Sequence, residues 1–191
     1  YLPTYVALHN GEFVYESNTG GFTTDLTQAK RSIIGYGTPD LEIGWSNFIT
    51  FRKNWHLDFS FRAMIGNDVY NATEMFFDDP GLLQSLNASP SALDWYDQGR
   101  TTAATLADFY VEDASFFRLD YVSLSYDFKF GENHNVFKGL SIFAASNNLF
   151  TITGYSGIDP ETRIDGLSFG IDQYNVYPKT RTFTLGIRGT I

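Results

Sequence analysis

The sequence has 191 residues, a formal net charge of −9, and is 43% hydrophobic and 17% aromatic but only 18% charged, against a globular norm of about 25%. It has no cysteine, which excludes a disulfide scaffold and a thiolate metal site, and its acidic balance without any basic run argues against nucleic acid as a partner. Its wealth of Phe and Tyr excludes a disordered chain.

No apolar run approaches the roughly 18 residues of a membrane-spanning helix. The chain begins Tyr1-Leu2-Pro3, in mid-pattern and without a signal peptide. The expectation is a segment whose N-terminal part lies elsewhere, so the missing signal carries no information on export.

In chain order, Tyr1–Leu8 reads as the end of a strand, followed by a connection over 9–39. From Leu41 the pattern has a period of two. Leu41, Ile43, Trp45, Ile49 and Phe51 share one parity, and Glu42, Gly44, Ser46 and Thr50 take the other. After the turn Arg52-Lys53-Asn54, Trp55, Leu57, Phe59, Phe61, Ala63 and Ile65 alternate with His56, Asp58, Ser60, Arg62, Met64 and Gly66. Such alternation places apolar side chains on one face of a strand and polar ones on the other.

The connection 67–116 comes next, then a strand over 117–130. There Phe117, Leu119 and Tyr121 are odd while Val122, Leu124, Tyr126, Phe128 and Phe130 are even, so the parity shifts before Val122, as at a bulge. Gly131–Lys138 is a short polar turn. Gly139–Phe150 is an apolar strand whose faces the pattern leaves ambiguous. After a connection over 151–179, Phe183, Leu185, Ile187 and Ile191 alternate with Thr182, Thr184, Gly186, Arg188 and Thr190.

Six strands result, near 1–8, 40–51, 55–66, 117–130, 139–150 and 180–191. All but the first reach the roughly nine to eleven residues of a tilted membrane strand. Their connections alternate long, short, long, short, long, the pattern of outer-membrane barrels with long outer loops and short periplasmic turns. The expected fold class is therefore all-β, a transmembrane antiparallel β-barrel. Glu42, His56, Asp58, Arg62 and Arg188 then face the lumen, with His56 near a periplasmic turn. Trp45, Trp55, Tyr121 and Tyr126 are candidates for interfacial aromatic girdles.

The connection 67–116 carries Asp68, Glu74, Asp78, Asp79, Asp94, Asp97, Asp108, Glu112 and Asp113 against one base, Arg100. This gathers nearly all of the net charge, by expectation on one surface. Ser89-Pro90 reads as an N-cap with proline at the first helical position, and Gly99 as a stop, which predicts a short helix over Ala92–Gln98. On it Trp95, Tyr96 and Asp97 combine aromatic rings with a carboxylate, as a sugar-binding surface does; contact with a protein partner or packing inside the loop is the reading preferred over direct substrate contact.

Other candidate sites read as structure. His9, His56 and His134 lie on different elements without metal-ligand spacing. Asp58 and Arg62 share a face but sit about 13 Å apart along a strand, too far to pair with each other. Asp159-Pro160-Glu161 is a turn rather than a calcium loop. Gly35-Tyr36-Gly37 lacks the third glycine of a nucleotide fingerprint. No nucleophile, base and orienting group occur together, so neither an enzyme nor a cofactor is expected.

Several stretches resemble the C-terminal third of the SusC/RagA family of TonB-linked outer-membrane transporters. They are TQAKRSIIGYGTP at 27–39 running on to Trp45-Ser46-Asn47, IGNDVYNAT at 65–73, and YVEDASFFRL at 110–119 followed by VSLSY at 122–126. Further on come ASNNLF at 145–150, YSGIDPE at 155–161, GID at 170–172 and YPKTRTF at 177–183. The matches keep the family's order over most of residues 27–191.

The resemblance implies a 22-stranded barrel with a plug, of which this chain supplies about six C-terminal strands. It implies four partners: a SusD-like surface lipoprotein that closes the barrel as a lid, TonB acting through the absent N-terminal part, outer-membrane lipid, and the rest of the same barrel. It implies import of oligosaccharides or oligopeptides across the outer membrane of a Gram-negative bacterium of the Bacteroidota. Phe183, Leu185, Ile187 and Ile191 become the strand read by barrel assembly. Family chains commonly end in an aromatic residue. Here Ile191 takes that place or further residues follow. The alternatives are a barrel acting mainly as a scaffold for surface lipoproteins, and a soluble β-sandwich, which one-faced alternation also fits.

Overall fold

The computed structural model describes residues 1–85, 87–100, 103–129, 139–162, 169–173 and 177–190. The chain divides into two compact units. A sheet unit comprises Asp40–Ile65, Ser115–Gly154 and Pro178–Ile191, and a loop unit comprises Tyr1–Pro39, Gly66–Ala114 and Tyr155–Tyr177.

The sheet unit holds five strands: β1 (Leu41–Phe51), β2 (Trp55–Ile65), β3 (Phe116–Phe128), β4 (Gly139–Thr153) and β5 (Thr182–Thr190). They run from 9 to 15 residues, well above the soluble mode of about five or six. Their order is β5-β4-β3-β2-β1, antiparallel throughout. Register follows the hydrophobic pattern, because a slip of one residue would move every side chain to the opposite face. One cross-strand row reads Ile49–Leu57–Leu124–Ala144–Leu185, and the next reads Thr50–His56–Ser125–Phe143–Gly186.

The parity shift in β3 is a bulge. Register slips between Leu119 and Tyr121 against both neighbours: opposite β2, Asp120 is the extra residue, whereas opposite β4 the single Asp120 faces two residues, Asn148 and Leu149, so the extra residue there lies on β4. Bulges re-aim side chains. Here Asp120 pairs with Arg62, whose Nε lies 3.1 Å from Oδ2 and whose second nitrogen Nη2 lies 3.4 Å from Oδ1. The slip also moves Tyr121 onto the face of Ser60 and Asn147. Tyr121 is therefore on the polar face and is no girdle residue. Register settles the ambiguous β4: Leu140, Ile142 and Ala144 stand with the apolar rows, and Ser141, Phe143 and Ala145 with the polar ones. The predicted turn Gly131–Lys138 and Ile191 lie outside the described residues.

The expected strand 1–8 does not join this sheet, so the sheet has five described strands rather than six. Instead Tyr5–His9 forms a hairpin with Glu12–Glu16 in the loop unit, and Phe22–Thr23 adds a third strand. Asn10 and Gly11 make the turn with φ of 50° and 82°. That pair of positive angles is the two-residue hairpin geometry for which Asn-Gly is the strongest local signal.

A second small sheet draws on three distant stretches. Asp68–Asn71 pairs antiparallel with Val111–Asp113 and parallel with Ile171–Asp172. The crossing is tight: a Cβ on Gly170, at φ +77°, would sit 2.6 Å from the Gly37 Cα and 2.8 Å from the Asp68 carbonyl oxygen. Gly170→Ala is expected to destabilise the loop unit by about 1–3 kcal/mol through strain and clash, read as faster cleavage of that unit by protease with the sheet unit unaffected.

Two α-helices are found among the described residues of the loop unit. α1 (Ala72–Phe77) is capped by the Asn71 side chain, which accepts from the Glu74 N–H at 2.8 Å. α2 (Pro90–Asp97) starts after Ser89 with proline in its first turn, close to the predicted bounds. It ends with the Gly99 N–H on the Tyr96 carbonyl and the Arg100 N–H on the Trp95 carbonyl, the paired bonds of a Schellman cap. A core of Phe13, Tyr15, Ala29, Trp95, Ala107 and Tyr110 joins hairpin, helix and loop.

Candidate functional site

The two faces of the sheet differ in chemistry. The apolar face carries two aromatic bands. Beside the Arg52-Lys53-Asn54 turn, Phe51 stacks on Trp55 at 5.9 Å, Trp55 meets Tyr126 at 4.9 Å, and Tyr126 meets Phe128 at 4.9 Å. Toward the other strand ends, Trp45, Phe59, Phe61, Phe117 and Phe150 make a second chain of ring contacts. The row containing Leu57 and Leu124 lies between the bands. This face is uncovered: Leu185 is 85% and Ile187 74% exposed. A soluble sandwich would bury such a face to gain the transfer free energy.

The polar face is networked. His56 sits between two strands, with Nδ1 3.0 Å from Thr50 Oγ1 and Nε2 2.9 Å from Asp127 Oδ2. Phe48 stacks on its ring at 5.7 Å. A shallow cavity of about 340 Å³ is lined by His56, Asp58, Tyr121, Asp127, Phe143 and Arg188, among others. The Arg188 guanidinium lies 6.0 Å over the Phe143 ring. Phe143 in turn lies across Gly186 of the next strand, where an added Cβ would come within 2.3 Å of the ring. Glu42, His56, Asp58, Arg62 and Arg188 all share this face by register. Arg62 is paired to Asp120. Asp58 and Arg62 do not pair with each other, as their spacing requires.

The acidic connection does not present one charged surface, because its carboxylates are largely engaged inside the loop unit. Asp68 accepts from the Tyr36 N–H, Asp108 from the Tyr5 N–H and Asp79 from the Gly81 N–H. Glu112 receives Asn71, the Ser156 N–H and the Ser156 hydroxyl. Asp78 is fully buried with Arg100, whose Nη1 lies 3.5 Å from Asp78 Oδ2. The Tyr110 hydroxyl donates to that same oxygen at 2.6 Å, and the Arg100 guanidinium also covers Phe13 and Trp95. Nothing in the periodicity pointed to this buried pair. The lone base in an acidic stretch was the one available signal.

The loop-helix candidates separate. Trp95 is only 7% exposed and packs against Phe13 and Phe109, which corrects its expected surface role in favour of packing within the loop. Tyr96 is 55% exposed and Asp97 is exposed. Asp159-Pro160-Glu161 is a turn in which Asp159 accepts from the Glu161 N–H at 3.0 Å. Among the described residues no group of His, Cys, Asp or Glu is placed to hold a metal ion.

Burial leaves a titration signature. Tyr70 is pushed up to about 12 by burial, and Tyr110 and Tyr155 rise further still, each buried and donating to a carboxylate, Asp78 and Asp172 respectively. A raised tyrosine pKa favours the protonated form in the folded unit. Its stabilisation is therefore complete below the ordinary value near 10 and is lost as pH rises through the folded values. Absorbance at 295 nm is expected to show these three tyrosines ionising only above about pH 12, or together with unfolding of the loop unit.

Long antiparallel strands with alternating faces, an uncovered apolar face between aromatic bands and a polar face behind it define a section of a transmembrane β-barrel. No family profile matches the chain. It is similar to TonB-dependent receptor SusC of Bacteroides thetaiotaomicron, 31% identical over 71% of this chain and 14% of that protein. It is also similar to TonB-dependent receptor P3 of Formosa agariphila, 28% identical over 85% of this chain and 17% of that protein. The chain thus spans less than a fifth of these relatives. In shape it matches the RagAB peptide importer in a closed-closed state, with a TM-score of 0.78 over 98% of this chain and 22% of that one, at 22% identity. The chain belongs to the SusC/RagA-like TonB-dependent transporters, as one region of such a protein.

Proposed function

We propose that the full-length protein imports oligosaccharides or oligopeptides across the outer membrane of a Gram-negative bacterium of the Bacteroidota, driven by TonB and gated by a SusD-like lipoprotein lid. The supporting observation is the two-faced sheet. Its apolar face meets outer-membrane lipid, and its opposite face lines a water-filled passage with Glu42, His56, Asp58, Arg62 and Arg188. No covalent step is involved, and the wall acts through charge and hydrogen bonding. The rest of the same barrel pairs with the open edges of β1 and β5, since unpaired edges are an aggregation hazard. Phe183, Leu185 and Ile187 belong to the strand that barrel assembly engages, and Ile191 follows it in the sequence. Tyr96 and Asp97 on α2 are offered to the lid, with Trp95 supporting them from below. TonB acts through residues outside this chain.

The experiment is uptake in cells with and without functional TonB. Solute accumulation should cease without it. Unchanged uptake, together with loss of surface lipoproteins when the protein is deleted, would mark it as a scaffold instead.

A further inference from the structure

The loop unit contains a cavity of about 550 Å³, within the range of small-ligand sites, roughly 300–1,000 Å³. Its lining includes Ile34, Met75, Leu106, Val111 and Phe169, with one carboxylate, Asp68. Ile34, Leu106 and Phe169 stay substantially exposed there, Leu106 at 41%. Asp68 is held firmly. Its Oδ2 accepts the Tyr36 N–H at 2.9 Å, and its own N–H donates to the Tyr36 carbonyl at 2.7 Å. Its Oδ1 has no partner among the described residues, so one carboxylate oxygen remains for a ligand in an apolar setting.

We infer that this cavity receives a hydrophobic residue at the free amino end of an oligopeptide, the side chain against Leu106, Met75 and Val111 and the ammonium on Asp68. The inference rests on the import reading and narrows its substrate class. Two features select the occupant. A sugar needs several polar groups around its ring, whereas this lining is mainly aliphatic. The loop unit also holds sixteen acidic residues against four basic ones, while the sheet unit holds six against nine. The loop unit therefore draws cations rather than anions.

The test is calorimetric titration of the full-length protein with Leu-Gly-Gly, its N-acetylated form, Ser-Gly-Gly and maltotriose. Acetylation and Asp68→Asn should each weaken Leu-Gly-Gly by about tenfold, and together by little more, since both remove one charge-assisted bond. Ser-Gly-Gly should bind about tenfold more weakly than Leu-Gly-Gly. Leu106→Gln, at an exposed position that tolerates the change, should weaken Leu-Gly-Gly and leave Ser-Gly-Gly nearly unchanged. Equal binding of the acetylated or seryl peptide, tighter binding of maltotriose, or no peptide binding overturns the inference. TonB-dependent uptake without these preferences sinks the inference and leaves the import reading standing. Uptake that ignores TonB sinks the import reading whatever the titration shows.

Discussion

Leu124→Arg is expected to lower the stability of the full-length protein in lipid by about 2–4 kcal/mol, whereas Ser125→Arg should change it by about 0.5 kcal/mol. The two residues are neighbours on β3 but stand on opposite faces. Leu124 lies in the row Ile49–Leu57–Leu124–Ala144–Leu185, whose members are all apolar and would surround an arginine with hydrocarbon. Ser125 lies beside His56 and Phe143 on the polar face, with Asp127 two residues on. The measurement is urea unfolding from lipid vesicles followed by tryptophan fluorescence. Equal penalties for the two variants would show that the faces are not exposed to different media.

The second large effect lies in the loop unit. Asp78→Ala should destabilise that unit by about 3–5 kcal/mol, because it strands the guanidinium of Arg100, itself 1% exposed, without its buried carboxylate. The same change deprives the Tyr110 hydroxyl of its acceptor. Arg100→Met together with Asp78→Leu should recover part of the loss, since two apolar groups replace the buried pair while the Tyr110 hydroxyl stays without its acceptor. Thermolysin resistance of the 66–114 region measures both. A double variant as fragile as the single one would mean that the charges hold the fold and not merely each other.

The sheet was legible because its physics is local. Trp55 through Ile65 alternate without a break, and an uncovered face needs that regularity over the full width of a membrane. Even the bulge showed, as a change of parity before Val122, although its effect on Tyr121 and its pairing of Asp120 with Arg62 did not. The loop unit was harder because its order comes from distant segments. Two-residue pairings such as Ile171–Asp172 on Tyr70–Asn71 leave no periodicity to read. Trp95 looked like a surface ring because a short helix alone cannot reveal that Phe13, far back in the chain, packs on it. The hairpin at Asn10-Gly11 was a readable signal, masked by the apolar run Tyr5–Leu8 that continued the strand pattern.

The interleaved small sheet sets an order of events during biogenesis. Asp68–Asn71 can complete its pairing only once Ile171–Asp172 has been synthesised, about a hundred residues later, and such distant closures slow folding. The three stretches therefore close late relative to the local hairpin of Tyr5–His9 with Glu12–Glu16. A deletion in any of the three stretches should arrest the others half-made, so changes in selectivity would have to arise by single substitutions within this block rather than by exchange of individual loops.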